Sequence, residues 1–301
     1  MTDTGLAAAG APALVPTLAP ALEAERFEFD GLSCYVAGQG RPLLLVHSIN
    51  AAASAAEMRP LFERYRATRR VYAIDLPGYG FSDRRERDYT PRLMTDALHA
   101  VAAQVAQHCG PWPLDALALS LSCEFLARAA AEQPDAWGRL ALVSPTGFKG
   151  KRARRGPPGS TRAVPWLKAV LTSPRWTKGL YRFLTRPGVV RYFLQRTWGG
   201  RAIDETMWAY AVETAKQPGA RHAPLCFLSG ELFSADIHTV YEALTQPVWA
   251  SHGVRGDFTD YRGMSFVQAR PNWQVSVFPT GALPYFEEPA AFMAAFDAFL
   301  G

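Results

Sequence analysis

Between residues 43 and 143 the chain alternates short apolar runs with amphipathic stretches on short connections, and that alternation leaves few folds open. Leu43-Leu44-Leu45-Val46 and Val71-Tyr72-Ala73-Ile74 are continuous apolar runs, as expected of strands covered on both faces. Leu114–Leu119 and Leu140–Val143 read as further strands. Between the first two, Met58, Leu61, Phe62 and Tyr65 share one helical face. Thr90-Pro91 supplies a capping hydroxyl and a proline at the first helical position. Met94, Leu98, Val101 and Val105 then follow at helical spacing, and Gly110 ends the helix. Leu121–Glu132 is expected to be helical too. The fold class is therefore α/β, with a mostly parallel, doubly wound sheet and right-handed crossovers. Ahead of it, Arg26–Phe29 and Ser33–Ala37 read as two short strands joined by Asp30-Gly31.

The alternation stops near Phe148 and resumes after Val240, with a strand at Val248–Ser251, a helix near Asp260–Ala269 and a strand at Trp273–Phe278. A last helix has Phe292, Phe296 and Phe299 on one face. The expected organisation is a disordered Ala/Pro leader over residues 1–24, an α/β core over 25–147 and 241–301, and a helical insertion over 148–240. The leader does not read as a secretory signal, because Asp3 stands where a basic region belongs and Pro12, Pro16 and Pro20 interrupt the apolar stretch. No run approaches the roughly 20 apolar residues of a membrane span. Cys34, Cys109, Cys123 and Cys226 are scattered, without metal-ligand spacing or the density of a disulfide scaffold. They are expected to be reduced, in the cytoplasm, and neither a metal nor a cofactor is expected.

The segment Leu114–Leu126 carries chemistry: a buried strand, the turn Ala118-Leu119-Ser120-Leu121-Ser122, and an apolar helix. A serine at a sharp strand-to-helix turn stands above the sheet, and the next N–H can face a developing oxyanion. A serine at a helix start can also be a simple cap. The surrounding motifs decide between the two. Leu43–Asn50 resembles the strand and His-Gly loop of the α/β-hydrolase family, with Ser48 in place of the glycine. Val71–Asp83 is similar to that family's next strand and turn, and Ala118–Ser122 to its nucleophile elbow, with Ala118 and Ser122 in place of two glycines. Pro247–Asp257 resembles the strand that supplies the acid, and Phe278–Pro289 the last catalytic loop. The resemblance covers about residues 25–300.

It implies a serine hydrolase of the carboxylic-ester type, with Ser120 as nucleophile, Asp257 as acid, and the backbone N–H groups of Ile49 and Leu121 as the oxyanion hole. The base position falls on Ala282. A methyl group accepts no proton, and a serine hydroxyl is a weak nucleophile until its proton is taken. In a comparable protease triad, loss of the histidine alone lowers turnover about 2 × 10⁶-fold. His222 and His238 in the insertion, and His252 after the acid strand, are the candidate surrogate bases. His47 is expected to be structural, and His99 and His108 structural or surface residues.

From Lys149 to Arg201 there are fourteen Lys and Arg residues and no Asp or Glu, interleaved with aromatics such as Trp166, Trp176, Phe183 and Phe193. By the resemblance this insertion is the cap that walls the pocket. The aromatics are expected to pack mostly on the core, but fourteen cations without a counter-charge point further, first to an anionic membrane surface, then to an anionic substrate. No nucleic-acid partner is expected, since no binding module is present. Two functions follow. One is an enzyme, hydrolytic or diverged to non-hydrolytic chemistry, acting on a hydrophobic small molecule. The other is an inactive pseudo-hydrolase that binds a lipid, pigment or signal molecule or docks on a membrane assembly. Either would be cytoplasmic, or peripheral to the inner face of a membrane.

Overall fold

The structure, a computed structural model, describes residues 17–301. The first strands, β1 (Glu25–Phe29) and β2 (Leu32–Ala37), form a hairpin whose turn residue Asp30 has φ +48°. Next come β3 (Pro42–Val46), α1 (Arg59–Tyr65), β4 (Arg70–Asp75), α2 (Pro91–Cys109), β5 (Leu114–Leu119), α3 (Ser122–Glu132) and β6 (Trp137–Val143). Six helices follow: α4 (Pro165–Leu171), α5 (Thr177–Leu184), α6 (Pro187–Trp198), α7 (Glu205–Ala215), α8 (His222–Leu228) and α9 (Ile237–Ala243). The chain closes with β7 (Val248–Gly253), α10 (Ser265–Gln268), β8 (Trp273–Phe278), α11 (Pro284–Glu287) and α12 (Pro289–Leu300).

The eight strands lie in one sheet in the order β1-β2-β4-β3-β5-β6-β7-β8. Only the pairs β1–β2 and β2–β4 are antiparallel; from β4 to β8 every neighbour is parallel. All five residues of β3 and all six of β5 are buried, which is why both strands lack polar–apolar alternation. The exception inside β5 is Asp115, whose carboxylate is paired with Arg41 and Arg69.

Two apolar layers sandwich the sheet. On one face α2, α3 and α9 cover Leu44, Val46, Ala116 and Leu142; on the other α1 and α12 cover Leu43, Leu45 and Trp249. Trp249 stacks on Phe296 with ring centres 5.5 Å apart. Thr90 caps α2 by accepting from Leu93 N–H at 3.2 Å. Because the central strands are parallel, their carboxyl ends share one edge, and the loops after β3, β5, β6, β7 and β8 converge there. The helices α4–α8 sit over that edge. No described helix is long and apolar enough to cross a membrane.

Three expectations change. Residues 17–24, expected to be disordered, are packed: Leu18 and Leu22 are buried, and Ala21 N–H donates to Tyr35 Oη at 2.9 Å. Residues 1–16 of the expected leader lie outside the described residues. The helix near Asp260–Ala269 is shorter, a 3₁₀ turn (Arg262–Met264) leading into the single turn of α10, because only Met264 and Val267 find buried positions there. Within the stretch expected to be cap, α9 packs against α3 of the core, drawn in by Ile237 and Tyr241.

Candidate functional site

Ser120 joins β5 to α3 with φ +58°, in the left-handed region that residues with a Cβ seldom adopt. Its N–H is tied to Val143 O at 2.8 Å, so the turn is pinned to the neighbouring strand. Ala118 and Ser122, which flank it, are fully buried. Ser122 Oγ donates to His47 O at 2.5 Å, which satisfies the polar atom that a glycine would not have brought. The hydroxyl of Ser120 has no hydrogen-bond partner among the described residues, and the residue lines a cavity of about 380 Å³.

The loop after β3 forms one wall of that cavity. His47 accepts from Leu76 N–H on Nε2 (2.9 Å), which leaves Nδ1–H to donate to Ser48 O (2.6 Å); both ring nitrogens are used. Next to it lies a group not foreseen from the sequence, the buried carboxylate of Glu57. It accepts from Ser48 N–H at 2.7 Å, from Ser48 Oγ at 3.0 Å and from Asn50 Nδ2 at 2.8 Å. Asn50 Oδ1 in turn accepts from Ala52 N–H at 2.7 Å. Glu57 thus clamps the loop that carries Ile49, and the hydroxyl introduced at position 48 is part of the clamp. The available signal was Ser54-Ala55-Ala56-Glu57, which reads as a helix-capping box. Here Ser54 does cap, accepting from Ala56 N–H at 3.4 Å, but Glu57 turns to the loop instead. The N–H groups of Ile49 and Leu121 have no acceptor among the described residues.

The opposite wall carries Asp257 and Ala282, the residues at which the resemblance puts the acid and the base. Ala282 lines the same cavity as Ser120 and is held by backbone on both sides: its N–H donates to Thr197 O (2.9 Å), and its carbonyl accepts from Ser144 Oγ (2.8 Å). The neighbouring Gly281 permits this approach, since a Cβ there would stand 2.4 Å from Trp198 O. Asp257 also lines the cavity, with both oxygens taken by Arg196, Nε and Nη2 each at 2.5 Å. Its N–H donates to Arg196 O at 3.1 Å. The carboxyl end of α6, Arg196–Trp198, therefore engages both the acid position and the base position.

No histidine lines the cavity among the described residues. His238 is buried, accepts from Arg154 N–H at 2.7 Å on Nδ1 and meets Gly147 O at 2.9 Å through Nε2, so its ring is fully used in fixing the start of the insertion. His252 stacks on Tyr261 with ring centres 3.9 Å apart and turns Nδ1 to Gly253 O. His222 opens α8; Pro224, Phe227 and Leu228 of that helix reach the cavity and His222 does not. Burial holds all three imidazoles below their ordinary pKa, assisted at His222 by Arg221 and at His238 by Arg155 and Arg154. The surrogate bases expected from the sequence are thus not brought to Ser120. Chain proximity did not reveal that the rings of His238 and His252 are spent on packing and on backbone groups, or that His222 stands off the cavity.

The rest of the cavity is mostly apolar, walled by Leu119, Leu184, Val190, Leu194, Met207, Phe227 and Phe233; Ser48, Asn50, Ser54, Glu57, Ser120 and Ser144 are polar positions on the sheet side, and Arg196 and Thr197 line it beside Asp257. The sequence model of the alpha/beta hydrolase family matches residues 43–295. The chain belongs to this family. A pimeloyl-[acyl-carrier protein] methyl ester esterase from Xylella fastidiosa is 32% identical over 109 residues, which are 36% of this chain and 38% of that protein. The chain thus matches well under half the length of this relative. Among solved structures, the CarC serine hydrolase involved in carbazole degradation superposes with a TM-score of 0.69 at 15% identity, over 89% of this chain and 94% of that one. The meta-cleavage product hydrolase CumD of Pseudomonas fluorescens IP01 gives 0.67 at 16% identity, over 89% and 93%. A bacterial membrane phospholipase A gives 0.67 at 19% identity, over 92% and 84%. At these identities the structural likeness speaks for the alpha/beta hydrolase fold alone.

Proposed function

We propose that this alpha/beta hydrolase family member binds a hydrophobic small molecule under its helical cap and does not perform triad-type ester hydrolysis. The observation that carries this reading is the cavity itself: Ser120 and Ala282 share its wall, its lining is mostly apolar, and no imidazole reaches it. Such a cavity has the size and polarity of a small-molecule site, at the low end of the usual range of about 300–1,000 Å³. A proton acceptor must come within about 3 Å of the serine hydroxyl, directly or through one water, to activate it. Asp257, with both oxygens on Arg196, would orient a guanidinium instead of an imidazole. The solved relatives include hydrolases of carbazole degradation and of meta-cleavage products, which supports a hydrophobic, small ligand.

A second reading, slow acyl chemistry at Ser120, is favoured by the retained left-handed turn and by the free N–H groups of Ile49 and Leu121. A fluorophosphonate probe separates the two. The first reading expects negligible labelling over hours; rapid labelling that is lost in Ser120→Ala would establish the second. Ligand binding is measured with the neutral dye N-phenyl-1-naphthylamine, which should saturate a single site and fail to bind folded Ala211→Trp. Absence of saturable binding by the wild-type protein sinks the proposal. The basic cap extends it to location, a cytoplasmic protein peripheral to the inner face of a membrane.

A further inference from the structure

Of the fourteen cations between Lys149 and Arg201, four meet carboxylates: Arg155 on Glu242, Lys168 on Asp88 and Glu231, Arg191 on Glu205, and Arg196 on Asp257. Arg175, Lys178, Arg182 and Arg186 form no ion pair among the described residues, and all four are exposed. They lie on and beside α5, whose inner side is fastened to the core by Tyr181 Oη donating to Ala51 O at 2.9 Å. The outer side carries large apolar groups. Trp176 is 47% and Phe183 51% exposed, and Trp166 on the adjacent α4 is 68% exposed. Trp176 Nε1 donates to Val170 O at 2.8 Å, joining the end of α4 to the start of α5, and Arg186 lies over the Phe183 ring at 5.2 Å. Cations and aromatics share one surface.

Packing on the core does not account for this surface, because these rings are about half exposed or more and these charges have no carboxylate partner among the described residues. Single exposed apolar residues are common, but a cluster of them interleaved with uncompensated cations marks a contact site. Its position relative to the cavity is informative. Phe193, Leu228 and Phe258 each line the cavity and are about half exposed, so they form its mouth. Phe193 belongs to α6, beside α5, and Leu228 to α8, beside α4. The aromatic–cationic face and the mouth are neighbours.

We propose that the outer face of α4 and α5 docks on an anionic phospholipid bilayer, so that the cavity exchanges its hydrophobic ligand with the membrane. This deepens the proposed function and rests on the cavity being a ligand site. The occupant is set by charge complementarity: cations favour an anionic surface, and tryptophan favours the bilayer interface. A second copy of the chain would place the same four cations against one another.

The test uses the full chain without ligand. It should co-sediment with vesicles containing phosphatidylglycerol, only weakly with phosphatidylcholine alone, and less as salt is raised. Lys178→Glu removes one cation and adds an anion, and should lower partitioning more than Lys178→Gln, for which about a fivefold drop is expected, the equivalent of about 1 kcal/mol per cation near the surface. Brominated acyl chains should quench fluorescence in the wild type and in Trp112→Phe, whose ring is exposed at the opposite edge of the sheet, before β5. Quenching should be lost in Trp166→Phe/Trp176→Phe. Melting curves and dye binding without vesicles show that the variants are folded. Equal binding to neutral and anionic vesicles, no binding at low salt, or a dimer in solution that shields Trp166 would each overturn the docking proposal. Failure of dye binding with vesicle binding intact would instead sink the ligand reading and leave the docking face standing.

Discussion

The two walls of the cavity are held together in different ways. On one wall, the turn at Ser120 keeps its left-handed backbone, and every polar atom brought in by Ser48 and Ser122 has found a partner. On the other wall, Asp257 is held by an arginine and Ala282 offers a methyl group clamped by backbone. The geometry needed to present a nucleophile is thus separable from the groups needed to activate it. Presentation is maintained by buried hydrogen bonds, which stabilise the fold and hold the strained turn at Ser120 in place. Activation would depend on two loops, an exposed one at Asp257 and a buried one at Ala282, and the carboxyl end of α6 is bonded to both.

The largest expected effect tests whether the second wall can be restored. Ala282→His combined with Arg196→Gln supplies an imidazole and releases Asp257 to orient it. Hydrolysis of a p-nitrophenyl ester should rise by about 10²-fold or more, the usual contribution of a general base. Ala282→His alone should gain less than a tenth of that; an equal gain would show that Arg196 does not compete for the acid. Next in size is Glu57→Gln, which replaces one acceptor oxygen of the clamp by a donor. A loss of about 2 kcal/mol in denaturant unfolding is expected, the cost of leaving a buried donor unpaired. An unchanged midpoint would show that the loop after β3 is held by other contacts.

A smaller change should come from Ser120→Gly. Relief of the left-handed strain, less the added entropy of the unfolded chain, should stabilise the protein by about 0.5–1 kcal/mol. A destabilised variant would mean that the hydroxyl supports the fold as well as facing the cavity. The smallest effect concerns the histidines named as candidate surrogate bases. His238 has its folded pKa held down by burial, so the folded state takes up fewer protons than the unfolded chain. Its stabilising contribution is present above the ordinary imidazole pKa of about 6.5 and is lost as pH falls below it. The drop in Tm between neutral pH and pH 5 should therefore be shallower in His238→Gln than in the wild type. Parallel curves would remove the pH argument for a packed, neutral His238.

What could be read from the residues alone was whatever depends on neighbours in sequence. Unbroken apolar runs imply strands covered on both faces, the spacing of Met94, Leu98, Val101 and Val105 implies a helix, and the small residues around Ser120 imply a tight strand–helix turn. These follow from backbone periodicity and local sterics. That position 282 carries only a methyl group is plain from the residue; its reading as the base position rests on the resemblance of the surrounding loop. What only the tertiary structure decided was the pairing of polar groups distant along the chain: Arg196 with Asp257, Glu57 with the loop at Ser48, and His238 with Gly147 and Arg154 N–H. The same applies to Leu18 and Leu22, which a Pro-rich context had marked as disordered and which the folded chain buries, Leu22 in the apolar layer on the Leu43 and Leu45 face of the sheet. A charged or aromatic residue carries no local signal of its partner, because hydrogen bonds and ion pairs act through space over a few ångströms, and only the folded chain sets which groups meet at that distance.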